Sequence, residues 1–354
     1  RDVLGSRGLG DVYKRQDLDM EQIDAAAENA VEDVTFSELV EDVLTGDFSF
    51  SMEDLWEKLG EVAFGELRTQ TGLIMQLIAV SILAAVLRQV SGSFCGREVG
   101  EMGFYVCYMV LIVVIITTFY DITAMVVERV EQTADIFGAM LPVFLALAAS
   151  SGNLTQTALM GPTMMGGCTL IVLILKSVVV PVLLAAVALE LVDRLSEQPL
   201  TARFAALLRQ GVSWGLKGLA GGFMLLLSLQ KIGGGAVNGL AVRTAKIAVN
   251  AVPVVGDVMG GAVDTAAAVA GTIRSGTLAA AVIFLLLLCI PLVIKLVAMT
   301  LIFKLTAAAV ESVCEARLVE CIGIAGDYTA LLLGVVFLVE VMFLFSSVLL
   351  LGVL

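Results

Sequence analysis

From Gly72 onward the chain alternates long apolar runs with short polar connectors. Runs long enough to cross about 30 Å of hydrocarbon at roughly 1.5 Å per residue occupy residues 72–94, 103–120, 167–192, 214–231, 277–303 and 327–354. A shorter run, "ADIFGAMLPVFLALA" at 134–148, reads as a tilted span or a re-entrant helix, with Pro142 expected to break it near its middle. Open sheets leave unsatisfied backbone edges in lipid, so the spans must be helical. The pattern therefore predicts an all-α, polytopic integral membrane protein of six or seven transmembrane helices, with amphipathic or re-entrant helices between them. "PLTARFAALLRQGVSWGLK" places Leu200, Phe204, Leu207 and Leu208 on one helical face with Arg203 and Arg209 elsewhere, the pattern of an interfacial helix. Ahead of the first span, Phe36, Leu39, Val40 and Val43 fall at i, i+3, i+4 and i+7, and Leu55, Leu59 and Val62 continue a helical rhythm. That region is either a set of short amphipathic helices or a partly disordered acidic segment.

Composition agrees with the pattern. Of the 354 residues 59% are hydrophobic and 16% charged, against about a quarter charged in soluble domains; mean hydropathy is +0.98. The net charge of −13 is unevenly placed. Residues 17–66 hold 16 acids and one base, Lys58, whereas from Leu67 onward there are 16 of each. So acidic a segment repels nucleic acid and anionic headgroups, which excludes a nucleic-acid partner and favours a segment standing in water. Cytoplasmic loops are enriched in Lys and Arg, so this segment is expected on the extracytoplasmic side.

The first sixteen residues belong to a different pattern. Asp11-Val12-Tyr13-Lys14-Arg15-Gln16 back-translates to GAT GTG TAT AAG AGA CAG, the recognition end used in transposase-based sequencing, and Ser6–Gly10 fits the adapter segment before it. Residues 1–16 are therefore expected to be adapter-derived, and a native N-terminus with a signal peptide is expected to be missing. The domain organisation that follows is an artefact at 1–16, an acidic extracytoplasmic segment at 17–66 and a transmembrane domain at 67–354.

Little catalytic chemistry is legible. There is no histidine, which removes the usual general base and the commonest metal ligand. The six cysteines include no CxxC pair, so neither a metal site nor a disulfide framework is indicated. "KIGGGAVNG" at 231–239 lacks the Lys-Ser/Thr ending of a phosphate loop, and no other cofactor motif occurs. These features predict a protein that is not an enzyme and holds no cofactor.

Polar residues inside apolar surroundings are the remaining candidates. Arg243, Asn250, Asp257 and Asp264 recur every seven residues, near one stripe of a helix or of two helices joined at Pro253. The stripe either faces water on an amphipathic pair or lines an aqueous path and contacts a partner. Within the spans lie Lys176, Glu190, Lys295 and Glu340. Glu190 is near a span end, Lys176 is placed to snorkel, and Lys295 follows Pro291, where freed carbonyls could accept its protons. Glu340, thirteen residues into the last run, is the foremost functional candidate. Gly215, Gly218, Gly221 and Gly222 suit close helix packing.

Four stretches, "YVCYMVLIVVIITTFYDI", "MLPVFLALAASSGNLTQTALMGP", "LSEQPLTARFAALLRQGVSWGLKG" and "AVRTAKIAVNAVPVVGDVMGGAVDT", occur in an order that resembles the stage III sporulation protein AE family, from about Gly72 to Leu354. The resemblance implies a signal peptide and extracytoplasmic region ahead of the spans. It also implies a place in the membrane complex connecting mother cell and engulfed forespore in endospore-forming bacteria, a partly secretion-like channel needed for late forespore gene expression. The expected location is the mother-cell (outer forespore) membrane, and the expected partners are the lipid bilayer and other membrane subunits of the stage III sporulation complex. The family supplies no catalytic residues to carry over. A self-contained secondary transporter of small solutes is the alternative; proline-broken spans at Pro181 and Pro291 would favour it, although no internal repeat supports it.

Overall fold

The computed structural model describes residues 64–94, 97–150, 154–195, 201–225 and 256–350, with a few isolated positions before Phe64. Every described element is helical. In chain order these are α1 (Thr71–Phe94), α2 (Arg97–Ser150), α3 (Leu154–Ile174), a π turn (Leu175–Val179), α4 (Val180–Asp193), α5 (202–225), α6 (Gly256–Val310) and α7 (Ala316–Leu350). The predicted all-α membrane fold is what forms. Among the described residues five segments are long and apolar enough to cross a membrane: Thr71–Gln89, Glu101–Ala146, Met164–Asp193, Ala279–Val310 and Ala316–Val348.

This arrangement differs from the expected spans in three places. The runs at 103–120 and 134–148 are not separate; they are parts of one uninterrupted α2 of 54 residues, roughly 81 Å at 1.5 Å per residue. Pro142 does not break it. A proline removes one hydrogen bond, and a helix packed on several sides tolerates that loss where an isolated one would not. Pro291 likewise lies inside the continuous α6. Pro181 sits in the first turn of α4, where its missing N–H matters least, and the chain before it widens into the π turn: the N–H of Val180 reaches back five residues to the carbonyl of Leu175. The proline-broken spans that would favour a transporter are thus continuous here. The expected span at 214–231 falls partly on α5, which is described to residue 225.

The helices pack along their lengths. Leu87 lies against Gly103 and Arg88 over the ring of Phe104, so α1 and α2 form an antiparallel hairpin. Lys176 meets Glu131 and Tyr108 meets Leu191, so α3, the π turn and α4 run back along α2. The turn at 311–315, closed by the Cys314 N–H donating to the Val310 carbonyl at 2.8 Å, reverses α6 into α7. Helix α7 lies parallel to α2, through the contacts Tyr108–Cys321, Phe119–Tyr328, Thr133–Glu340 and Phe137–Phe343. Their shared core is aromatic, with Tyr108, Phe119, Phe137, Phe284, Tyr328 and Phe343 buried. The outer faces are also apolar: Val106 and Val113 on α2, Leu173 on α3, Leu305 on α6 and Phe337 on α7 are all exposed. Apolar faces this extensive are unstable in water and natural in lipid.

Candidate functional site

Charged side chains on and beside the membrane-spanning helices are the first candidates for specific chemistry among the described residues, because a charge facing hydrocarbon costs about 3 kcal/mol or more on insertion scales. They gather in two tiers along α7. From Glu320 to Glu340 the helix rises roughly 30 Å at 1.5 Å per residue.

The first tier surrounds the α6–α7 turn. Arg88 pairs with Glu315, which Arg317 also approaches at 3.8 Å. Arg194 at the end of α4 pairs with Glu320, and Lys304 on α6 pairs with Asp327 one helix away. Glu190 accepts a hydrogen bond from the Tyr328 hydroxyl at 2.8 Å, and the Arg209 guanidinium lies 5.3 Å from the centre of the same ring. Arg209 therefore packs on the bundle through its flat face while Phe204 and Leu207 of α5 remain exposed, as an interfacial helix requires. Asp193 accepts from the backbone N–H groups of Thr201 and Ala202 at 2.6 and 3.1 Å and caps the start of α5 from the preceding helix. Tyr108 donates to the Leu191 carbonyl at 3.1 Å, which uses its one proton, so the Cys321 thiol 2.7 Å away donates to the tyrosine oxygen. A cavity of about 390 Å³ opens at this end between Arg88, Phe104, Cys314 and Glu315. Burial pushes the Cys314 thiol above its ordinary range.

The second tier contains the sequence-derived intramembrane candidates. Lys176, on the π turn, is 2.7 Å from Glu131 of α2. Lys295 is 3.6 Å from Glu66, so it has an acidic partner ahead of α1 and not only the carbonyls freed at Pro291. Glu340 is different. It is buried, accepts one hydrogen bond from the Thr133 hydroxyl at 3.3 Å, and has no cation paired with it among the described residues. The structure thus brings Lys176 and Glu340 to opposite sides of α2, at Glu131 and Thr133, and places Lys295 on α6.

Of the polar stripe, Arg243 and Asn250 lie outside the described residues, and Asp257 and Asp264 lie on the first turns of α6 with side chains outside the described set. Among the described residues no group of three or more Cys, Asp or Glu side chains converges as a metal site. Sequence reading missed Glu131, Glu66, Lys304, Asp327 and the Arg88–Glu315 pair. Each belongs to an ion pair that joins two separate segments of the chain. Opposite charges at matching depths of different spans were the available signal, but it becomes specific only when helix neighbours are known.

A family model described as stage III sporulation protein AE matches residues 34–353. Over 308 residues the chain is 26% identical to "Stage III sporulation protein AE" of Bacillus subtilis (strain 168), covering 86% of this chain and 76% of that protein. No solved structure matches. With a match running from ahead of α1 to the end of α7, this chain belongs to the stage III sporulation protein AE family.

Proposed function

We propose that the chain is a non-enzymatic membrane subunit of the complex that links mother cell and forespore, acting as scaffold or conduit in support of late forespore gene expression. The observation that carries this reading is the family match along residues 34–353, which takes in the second part of the acidic segment and α1 to α7. A bundle whose charges are largely neutralised by one another, and whose outer faces are apolar, suits a subunit embedded in the mother-cell membrane beside other membrane subunits. In this reading residues 1–16 contribute nothing and residues 17–66 stand outside the cytoplasm. The stripe of Arg243, Asn250, Asp257 and Asp264 then meets water or a partner. Deleting the gene in the bacterium that carries it tests the reading: vegetative growth should be unchanged, while a reporter of late forespore transcription stays silent. A reporter that fires normally would contradict it.

A further inference from the structure

Glu340 lies on α7 where α2 and α6 meet it, and it is 3% exposed. Its Oε1 accepts from Thr133 at 3.3 Å, but the same hydroxyl also donates to the Arg129 carbonyl at 2.9 Å, so one proton serves two acceptors. Its Oε2 is buried with no partner among the described residues. The charged and titratable groups around it are engaged or turned away. On α2, Glu131 is held by Lys176, Arg129 donates to Gln132 at 3.3 Å, and Asp135 is exposed. On α6 the Cys289 thiol lies within electrostatic reach of Glu340, and Lys295 is paired with Glu66. On the α4 side, Glu190 is bonded to Tyr328, about three turns away along α7. On α3, Cys168 is buried as a free thiol. A carboxylate here would be a buried charge with half a hydrogen bond, whereas a carboxylic acid with an unpartnered O–H is a far milder defect.

We propose that Glu340 is a proton-binding site inside the bundle: a carboxyl held as the neutral acid, with an exchangeable proton on Oε2. This goes beyond the proposed function and does not depend on it. The ligand is the proton itself, the species that turns an unpartnered buried carboxylate oxygen into a neutral hydroxyl.

Infrared difference spectroscopy reads this state without any reagent having to reach the buried carboxyl, because a carboxylic acid shows a C=O stretch that a carboxylate lacks. With the full chain in membranes, the neutral-minus-alkaline difference spectrum of the unmodified protein should carry a carboxylic acid band, and transfer to D2O should shift it. Glu340→Gln should remove the band, whereas Glu131→Gln and Thr133→Val should leave it in place. The first reading uses the unmodified chain, so it does not depend on any variant folding. No acid band at neutral pH, or a band that survives in folded Glu340→Gln, would overturn the proposal; a band indifferent to alkaline pH and to D2O would overturn its exchange.

Discussion

Gly326 shows how one residue sets a helix contact. A Cβ at this position would lie 3.2 Å from Cε and 3.3 Å from Cδ and Cγ of Lys304, so the lysine stem crosses α7 tightly against the glycine and a larger side chain would push it aside. That crossing delivers the ammonium to Asp327. Gly326→Val should displace the stem and lower the melting temperature in detergent by about as much as Asp327→Asn does. The double substitution should cost little more than either alone, because both remove the same pair; simple addition of the two effects would show that Lys304 reaches Asp327 by another route. Cys314 offers a second test at this scale. Its thiol is pushed above the ordinary range by burial, and the thiolate is the reactive form. At neutral pH it should therefore react with maleimide more slowly than a cysteine introduced at the exposed Val313, and the gap should narrow as the pH rises. Equal rates at neutral pH would contradict the burial.

Among the elements, α5 depends on a cap it does not itself supply. Asp193 ends α4 and accepts from the first N–H groups of α5 across the intervening residues, fixing where the interfacial helix leaves the bundle. Asp193→Ala should cost about 1 kcal/mol and speed amide exchange in the first turn of α5 while leaving α7 unchanged. Unaltered exchange at residues 201–204 would show that other contacts hold the turn. The existence of the helices was legible because their residues are apolar all round. The continuity of α2 was not: between its two apolar runs stand Asp121, Glu128, Arg129 and Glu131, which read as a connector. All four lie within the continuous helix, where Lys176 answers Glu131 and Gln132 answers Arg129. Glu340 was legible for the opposite reason, as a charge type deep in an apolar run needs no knowledge of neighbours to be noticed. That Thr133 would be its partner was hidden, because 207 residues separate the two and only the parallel packing of α2 and α7 joins them.

At the scale of the whole molecule the central claim is that this bundle works as one subunit among several. Its apolar outer faces and its family membership fit that claim. The direct measurement is affinity purification of the tagged full chain from sporulating cells in a mild detergent, followed by mass spectrometry and by reconstitution into vesicles. The account predicts that other sporulation membrane proteins co-purify in fixed ratio, and that vesicles holding this chain alone take up no small solute against a gradient. A chain that purifies alone and drives solute uptake by itself would contradict it.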